Sequence, residues 1–251
     1  MTTESRKTKI LDMLKQNGSV KVTELSRLFG VSEVTVRNYL DDMEKKGLLS
    51  RVHGGAVSSY KPYYSMNFNQ RLETNQSEKV NIAEKISNMI NPDDTIMLNS
   101  GTTTLLAFRK FPPDYNLNIV TNSVSIALEA SGNSNYNVIL IGGSINTKYQ
   151  FTFGSDAVLQ INRYHADKLI LSVDGIDIDG GFTTYYDKEA EIDRAMALRS
   201  NQCIIAADNS KFYHNAFTKV FDVSMADCIV TNKKLDDEHI LEFADMGIEI
   251  F

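Results

Sequence analysis

The sequence predicts an α/β protein in two parts. A small winged helix-turn-helix domain covers residues 1–58, a linker covers 59–75, and a larger α/β domain with a mainly parallel sheet covers 76–251. Three observations predict this. Two short helical patterns meet at Gly30 and are followed by a Gly54-Gly55 hairpin. Beyond residue 76, apolar strand-like runs alternate with helical patterns, which is the rhythm of a sheet covered on both faces. The charge also divides: residues 1–60 hold 10 Lys+Arg and 7 Asp+Glu, a net of +3, and the remainder holds 16 and 25, a net of −9, which together give −6.

Taken in order, Ile10, Leu11 and Leu14 form an apolar stripe on a helix that stops near Asn17-Gly18. Thr23 is expected to cap the next helix, because its hydroxyl can accept an orphan amide. That helix is expected to bury Leu25 and Leu28 and to break at Gly30, where positive φ permits a tight turn. Ser32 caps the third helix, whose Val36, Leu40 and Met43 are spaced for a core-facing side. Val34 and Asn38 then point away from the core, flanked by Thr35 and Arg37.

Those side chains can read DNA. Asn pairs with adenine, Arg with guanine or phosphate, and Val touches a thymine methyl. Asp41 and Asp42, one turn later, would repel phosphate, so only the N-terminal half of the helix is expected to enter the groove. Leu48 to His53 reads as a strand and Gly54-Gly55 as the turn of a small wing, with Arg51 and His53 as phosphate contacts. The residues expected to face double-stranded DNA are Thr23, Ser32, Val34, Thr35, Arg37, Asn38, Arg51, His53 and Gly54. The alternative is a trihelical domain that binds protein.

An acidic chain with a locally basic end would bind a polyanion through that end alone. A content of 42% hydrophobic residues with 4 Pro supports a full core without a disordered composition. The polar first residues and the lack of a long apolar run point to a cytoplasmic protein with no membrane partner. Cys203 and Cys228 lie in apolar runs and read as buried thiols rather than a disulfide or metal site.

Residues 58–75 are aromatic and polar without period, as a linker would be. Lys79 to Ile90 reads as a helix with Ile82, Ile86 and Ile90 on one face. Strands are expected near 95–98, 117–120, 137–141, 168–173, 203–207, 227–230 and 248–251. In open α/β sheets ligands bind where the loops after the strands converge. Here those loops carry Asn99-Ser100-Gly101-Thr102-Thr103-Thr104, Thr121-Asn122-Ser123, Gly142-Gly143-Ser144, Asp174-Gly175-Ile176-Asp177 and Asp208-Asn209-Ser210-Lys211.

Ser100 to Thr104 reads as an anion cradle of amides and hydroxyls at a helix start. The acids and amides suit sugar hydroxyls, so a phosphorylated sugar or polyol fits better than a planar nucleotide. Neither a Walker sequence nor a Gly-x-Gly-x-x-Gly follows the first strand, which argues against ATP or NAD. No cofactor or metal is expected. Each loop alone has a plainer reading as a helix cap or a turn; their coincidence at successive strand ends favours a ligand site.

The chain resembles the DeoR family of bacterial transcriptional regulators over nearly its whole length. The resemblance rests on Val31-Ser-x-x-Thr-Val-Arg37, Arg51-Val-His-Gly-Gly-Ala56, Arg71, Lys79, Ser100-Gly-Thr-Thr-Thr104, Thr121-Asn-Ser123, Gly142-Gly143, Glu189-Ala190 and Asp208-x-Ser-Lys211. It implies a repressor of carbohydrate catabolism that leaves its operator when a sugar phosphate binds a domain similar to ribose-5-phosphate isomerase. Asp174-Gly175-x-Asp177 is similar to an acidic motif of that isomerase. Two departures stand out: Asn38-Tyr39 replaces the usual Arg-Asp, and Arg194 stands where lysine is common.

The effector-binding residues expected are Ser100, Gly101, Thr102, Thr103, Thr104, Asn122, Ser123, Gly142, Gly143, Asp174, Gly175, Asp177, Glu189, Arg194, Asp208 and Lys211. A winged domain alone buries little DNA, so a homo-oligomer reading paired half-sites is expected. The rival from another class is a sugar-phosphate isomerase fused to a DNA-binding domain, with Glu189 or Glu191 as general base. The isomerase's glycine-rich lysine segment is missing ahead of that glutamate.

Overall fold

In the first unit, Met1–Met66, a handful of apolar side chains organises three helices. Ile10 and Leu14 of α1 (Thr3–Asn17), Leu25 and Phe29 of α2 (Val22–Phe29), and Val36, Leu40 and Met43 of α3 (Glu33–Lys45) form one buried cluster. The computed structural model describes residues 2–17, 19–45, 48–52, 54–57, 63, 65–232 and 237–251. As expected, Gly30 closes α2 in the left-handed region at φ 63°, its N–H returning to the Ser26 carbonyl.

Two readings of α2 need correction. The strand β1 (Ser19–Lys21) runs straight into the helix, which begins at buried Val22, so Lys21 holds the N-cap position and Thr23 lies exposed in the first turn. Phe29 rather than Leu28 faces the core; Leu28 is 54% exposed, since Val22, Leu25 and Phe29 already complete the 3–4 spacing of the buried face. The wing is a three-stranded antiparallel sheet in the order β1-β3-β2, with β2 at Ser50–Val52 and β3 at Gly55–Val57.

The second unit spans Asn67–Phe251. It opens within the stretch read as linker, where α4 (Phe68–Glu73) forms behind a reciprocal capping box: the Asn67 side chain accepts from Gln70 N while the Gln70 side chain accepts from Asn67 N. Phe68 is buried. Next come α5 (Gln76–Ser87), β4 (Thr95–Leu98), α6 (Thr102–Phe108), β5 (Leu117–Thr121), α7 (Val124–Ala130) and β6 (Tyr136–Leu140). The hairpin β7 (Ser144–Asn146) and β8 (Phe151–Phe153) precedes α8 (Ser155–Ile161) and β9 (Ala166–Leu171). A second hairpin, β10 (Gly175–Asp177) and β11 (Gly181–Thr184), leads to α9 (Asp187–Ala197), β12 (Ser200–Ala206), β13 (Thr218–Phe221), β14 (Cys228–Val230), α10 (Asp237–Asp245) and β15 (Glu249–Ile250).

Seven strands make one parallel sheet in the order β15-β14-β12-β9-β4-β5-β6. All seven expected strands are in it, shifted by no more than a few residues. Alternate residues feed two cores: Met97, Leu169, Leu171 and Ile205 pack with α9 on one face, and Ile96, Leu98, Ile170 and Ile204 pack with α5 and α6 on the other. Cys203 and Cys228 are buried free thiols. The chain proceeds from β4 outward through β5 to β6, then returns to β9 on the other side of β4 and runs outward through β12. The reversal makes the carboxyl ends of β4 and β9 a topological switch point, the position at which open α/β sheets take their ligands.

Candidate functional site

On α3 the face opposite the core carries Val34, 62% exposed, with Arg37 and Asn38 also exposed and Thr35 half-buried. The Ser32 hydroxyl accepts from Thr35 N at 3.2 Å and so caps the helix as expected. Arg37 lies along the helix in a 2.8 Å pair with Glu33, an exposed i,i+4 contact that phosphate or a base edge can replace. Arg51 is engaged: its guanidinium meets Asp41 and donates to the carbonyls of Arg37 (3.2 Å) and Gly55 (3.3 Å), which fixes the wing to α3. Asp41 therefore has a counter-charge, as does Asp42, paired with Lys7 at 2.5 Å. Gly54 turns at φ 80°, its carbonyl accepting from Val22 N, and a Cβ on Gly55 would lie 2.1 Å from the Val20 carbonyl. His53 lies outside the described residues.

At the switch point, Asn99 directly follows β4 and acts as a hub. Its Oδ1 accepts from Thr104 Oγ1 (2.9 Å) and Ser172 N (3.1 Å); its Nδ2 donates to the Ser172 carbonyl (2.9 Å) and to Asp193 Oδ1 (3.3 Å). Ser100 Oγ donates to Glu189 Oε1 at 3.2 Å, and Thr184 Oγ1 donates to Glu189 Oε2 at 2.7 Å. Asp174 Oδ2 accepts from Tyr185 N (3.2 Å) and Thr184 Oγ1 (3.3 Å), while its Oδ1 faces Arg71 Nη1 at 3.4 Å. Tyr149 packs beneath that guanidinium, 4.4 Å from its carbon to the ring centre.

Glu189 and Asp193 are four residues apart on α9 and so share one face. Burial raises both carboxyls, Asp193 well above the usual range, and each is raised further by a neighbouring carboxylate, Asp174 for Glu189 and Glu189 for Asp193. Asp193 Oδ2 is buried with no partner among the described residues. This is what a protonated acid in a dry, like-charged setting looks like.

A second cluster adjoins the crevice at the end of β12. Asp208 Oδ1 accepts from Ser210 N (3.0 Å) and Asn75 Nδ2 (3.3 Å), and Lys211 is buried beside them. Lys79, buried, donates through Nζ to the carbonyls of Arg71 and Thr74 (2.7 Å for the latter), tying α4 to α5. Burial, and then the charge of Lys211, lower Lys79 to about 7, against the opposing effect of Asp208.

The structure thus brings together Ser100, Asp174 and Glu189, with Gly101 at the turn and Asp208 and Lys211 adjacent. The other expected residues have the following surroundings. Thr102 and Thr103 are buried in the first turn of α6, and Thr104 turns inward to Asn99. Ser123 caps α7 through Ile126 N, and Asn122 Nδ2 donates to the Thr152 carbonyl. Gly142 N donates to Gln160, and Gly143 turns at φ 143° into the β7–β8 hairpin.

Gly175 lies where a Cβ would come 2.4 Å from the His214 carbonyl. Asp177 sits at the far end of the β10–β11 hairpin, accepting from Gly180 N. Arg194 donates to the carbonyls of Lys219 and Val220 and braces β13. Ser172, Thr184 and Asp193 were not expected, and Asn99 was read only as part of the loop after the first strand. The i,i+4 spacing of Glu189 and Asp193 is the signal that could have found the latter. Arg71 and Lys79 entered only through the family resemblance.

Comparison with known proteins agrees with both halves. A family model described as a DeoR-like helix-turn-helix domain matches residues 6–61, and one described as the DeoR C terminal sensor domain matches residues 74–233. The glycerol-3-phosphate regulon repressor of Escherichia coli (strain K12) is 30% identical over 241 residues, covering 92% of this chain and 94% of the relative. The HTH-type transcriptional regulator IolR of Bacillus subtilis (strain 168) is 31% identical over 228 residues, 91% of this chain and 90% of the relative. Among solved structures, ribose 5-phosphate isomerase A from Methanocaldococcus jannaschii aligns over 55% of each chain at TM-score 0.41 and 12% identity. With family models matched over residues 6–61 and 74–233 and relatives matched nearly end to end, the chain belongs to the DeoR family of transcriptional regulators.

Proposed function

We propose that this regulator is a cytoplasmic repressor of a carbohydrate-utilisation operon, released from double-stranded operator DNA by a phosphorylated sugar or polyol. The observation that carries the proposal is the convergence of Ser100, Asp174 and Glu189 on the β4–β9 crevice, with Lys211 and Lys79 beside it. Hydroxyl-bearing carbon meets acids that can donate or accept, and phosphate meets lysine and the amides around Gly101. The name of the Escherichia coli relative, a glycerol-3-phosphate regulon repressor, supports the same ligand class. A homo-oligomer would set two α3 helices against paired half-sites. For the ligand to act, it must bind the DNA-incompetent arrangement more tightly than the competent one.

Mobility shift with the chain's own upstream DNA, titrated with a panel of phosphorylated sugars, tests this. Retardation relieved by one sugar phosphate is expected, and Lys211→Ala should raise the concentration for half-release about tenfold or more. No retardation, or retardation indifferent to every sugar phosphate, would sink it.

A second reading has one observation in its favour: the raised Glu189 carboxyl suits general acid–base work. Under the repressor reading, incubation with ribose 5-phosphate yields no ketose; turnover abolished by Glu189→Gln would make the protein an isomerase instead.

A further inference from the structure

Arg71 stands on α4, the six-residue helix that opens the second unit directly after the chain leaves the DNA-binding unit. Its guanidinium is largely buried, faces Asp174 Oδ1 at 3.4 Å and lies over the Tyr149 ring. That separation exceeds the roughly 2.7–2.9 Å of a strong charge-assisted bond. Asp174 does not depend on the pair, because its other oxygen accepts from Tyr185 N and Thr184 Oγ1. Thr184 also donates to Glu189, and Glu189 accepts from Ser100. A continuous polar path therefore runs from the end of β4 to α4, and its last link is its loosest.

We propose that Arg71 is the positioning residue of the switch, exchanging the Asp174 carboxylate for the ligand's phosphate and so passing the state of the crevice to α4. This rests on the sugar-phosphate reading above. A phosphate dianion offers the planar guanidinium two parallel bonds and twice the charge of one carboxylate, so exchange is favoured when it arrives. Asp174 keeps the Tyr185 N–H, and at 3.3 Å a share of the Thr184 hydroxyl, when Arg71 turns away, which holds down the cost of the exchange. The Arg71 carbonyl accepts from Lys79 Nζ, so displacement of α4 also bears on the start of α5.

The test is the coupling factor, the ratio of operator Kd with and without saturating ligand. By linkage it equals the ratio of ligand Kd with and without operator. The probe is whichever of glycerol 3-phosphate, fructose 6-phosphate and ribose 5-phosphate releases the full-length wild type at the lowest concentration. In Arg71→Gln the two operator Kd values should agree within about twofold, and in Arg71→Lys the ratio should fall about fivefold below wild type, since an ammonium cannot span carboxylate and ring together.

Thermal denaturation reports folding; if the Gln variant does not fold, the Lys variant decides. A folded variant with the wild-type ratio overturns the proposal and leaves the sugar-phosphate reading standing. A Gln variant that no longer binds the probe makes Arg71 a contact alone and also overturns it. A wild type that no probe releases overturns both.

Discussion

At the scale of single residues, the two units make separable predictions. Arg37 and Asn38 are exposed on α3 and contribute nothing to the core, so Arg37→Ala should fold normally yet weaken operator binding by about 1–3 kcal/mol, with a smaller loss on unrelated DNA if Arg37 reads a base. Fluorescence anisotropy on both duplexes checks this; unchanged operator affinity would remove α3 from the groove. In the crevice, Asp193 keeps its proton in the native state well above 3.8, the pH at which the unfolded chain loses it. Across that window the native state binds more protons, so stability falls as pH rises. Asp193→Asn should flatten the urea midpoint against pH and gain on wild type as pH rises above 3.8; parallel curves would refute a buried, protonated acid. Lys79 carries the opposite sign. Its native value of about 7 lies below the 10.5 of the unfolded chain, so between them the unfolded state binds more protons and stability rises with pH. Lys79→Met should lose that rise.

At the scale of elements, close approach at the end of β4 governs the crevice. A Cβ on Gly101 would stand 1.4 Å from Ser172 Oγ and 2.7 Å from Ser172 Cβ, so Gly101→Ala must push β4 and β9 apart where the site forms. Large destabilisation and loss of ligand response are expected, with partial rescue by Ser172→Gly in a double-mutant cycle; additive effects would show that the two strand ends do not meet. The same scale shows what the sequence could reveal. Period-two and buried apolar runs made all seven sheet strands readable, and 3.6 periodicity did the same for α1, α3 and α5, because burial imposes those spacings. The hairpins β7–β8 and β10–β11 were not readable: their strands are three or four residues long, too short for a period. Helix α4 was hidden for the same reason, its start marked by the Asn67–Gln70 box rather than by an apolar stripe. Position after strands is what singled out Ser100, Asp174 and Asp208, and each does follow a strand of the large sheet. Side-chain direction was beyond reach, so the bonds from Thr104 to Asn99, from Gly180 N to Asp177 and from Arg194 to the Lys219 and Val220 carbonyls could not be read in advance.

At the scale of the whole molecule, apolar burial falls into separate sets. One cluster draws only on residues between Ile10 and Ala56, and the two clusters flanking the large sheet draw on residues from Phe68 onward. Because each set encloses its own apolar surface, each unit has its own reason to unfold cooperatively. Calorimetry should therefore resolve two transitions. A sugar phosphate that binds the crevice acts on the native state of the second unit alone, and at about one hundred times its Kd adds roughly 2.7 kcal/mol there. The corresponding transition should move up while the other stays in place, and operator DNA should do the reverse. Charge sharpens the contrast, since the basic excess lies within residues 1–60 of a chain that is acidic overall: added salt should weaken operator binding steeply. A single transition displaced as one by either ligand would mean that the units unfold together. The switch would then have to be sought in their shared stability rather than in a link such as Arg71.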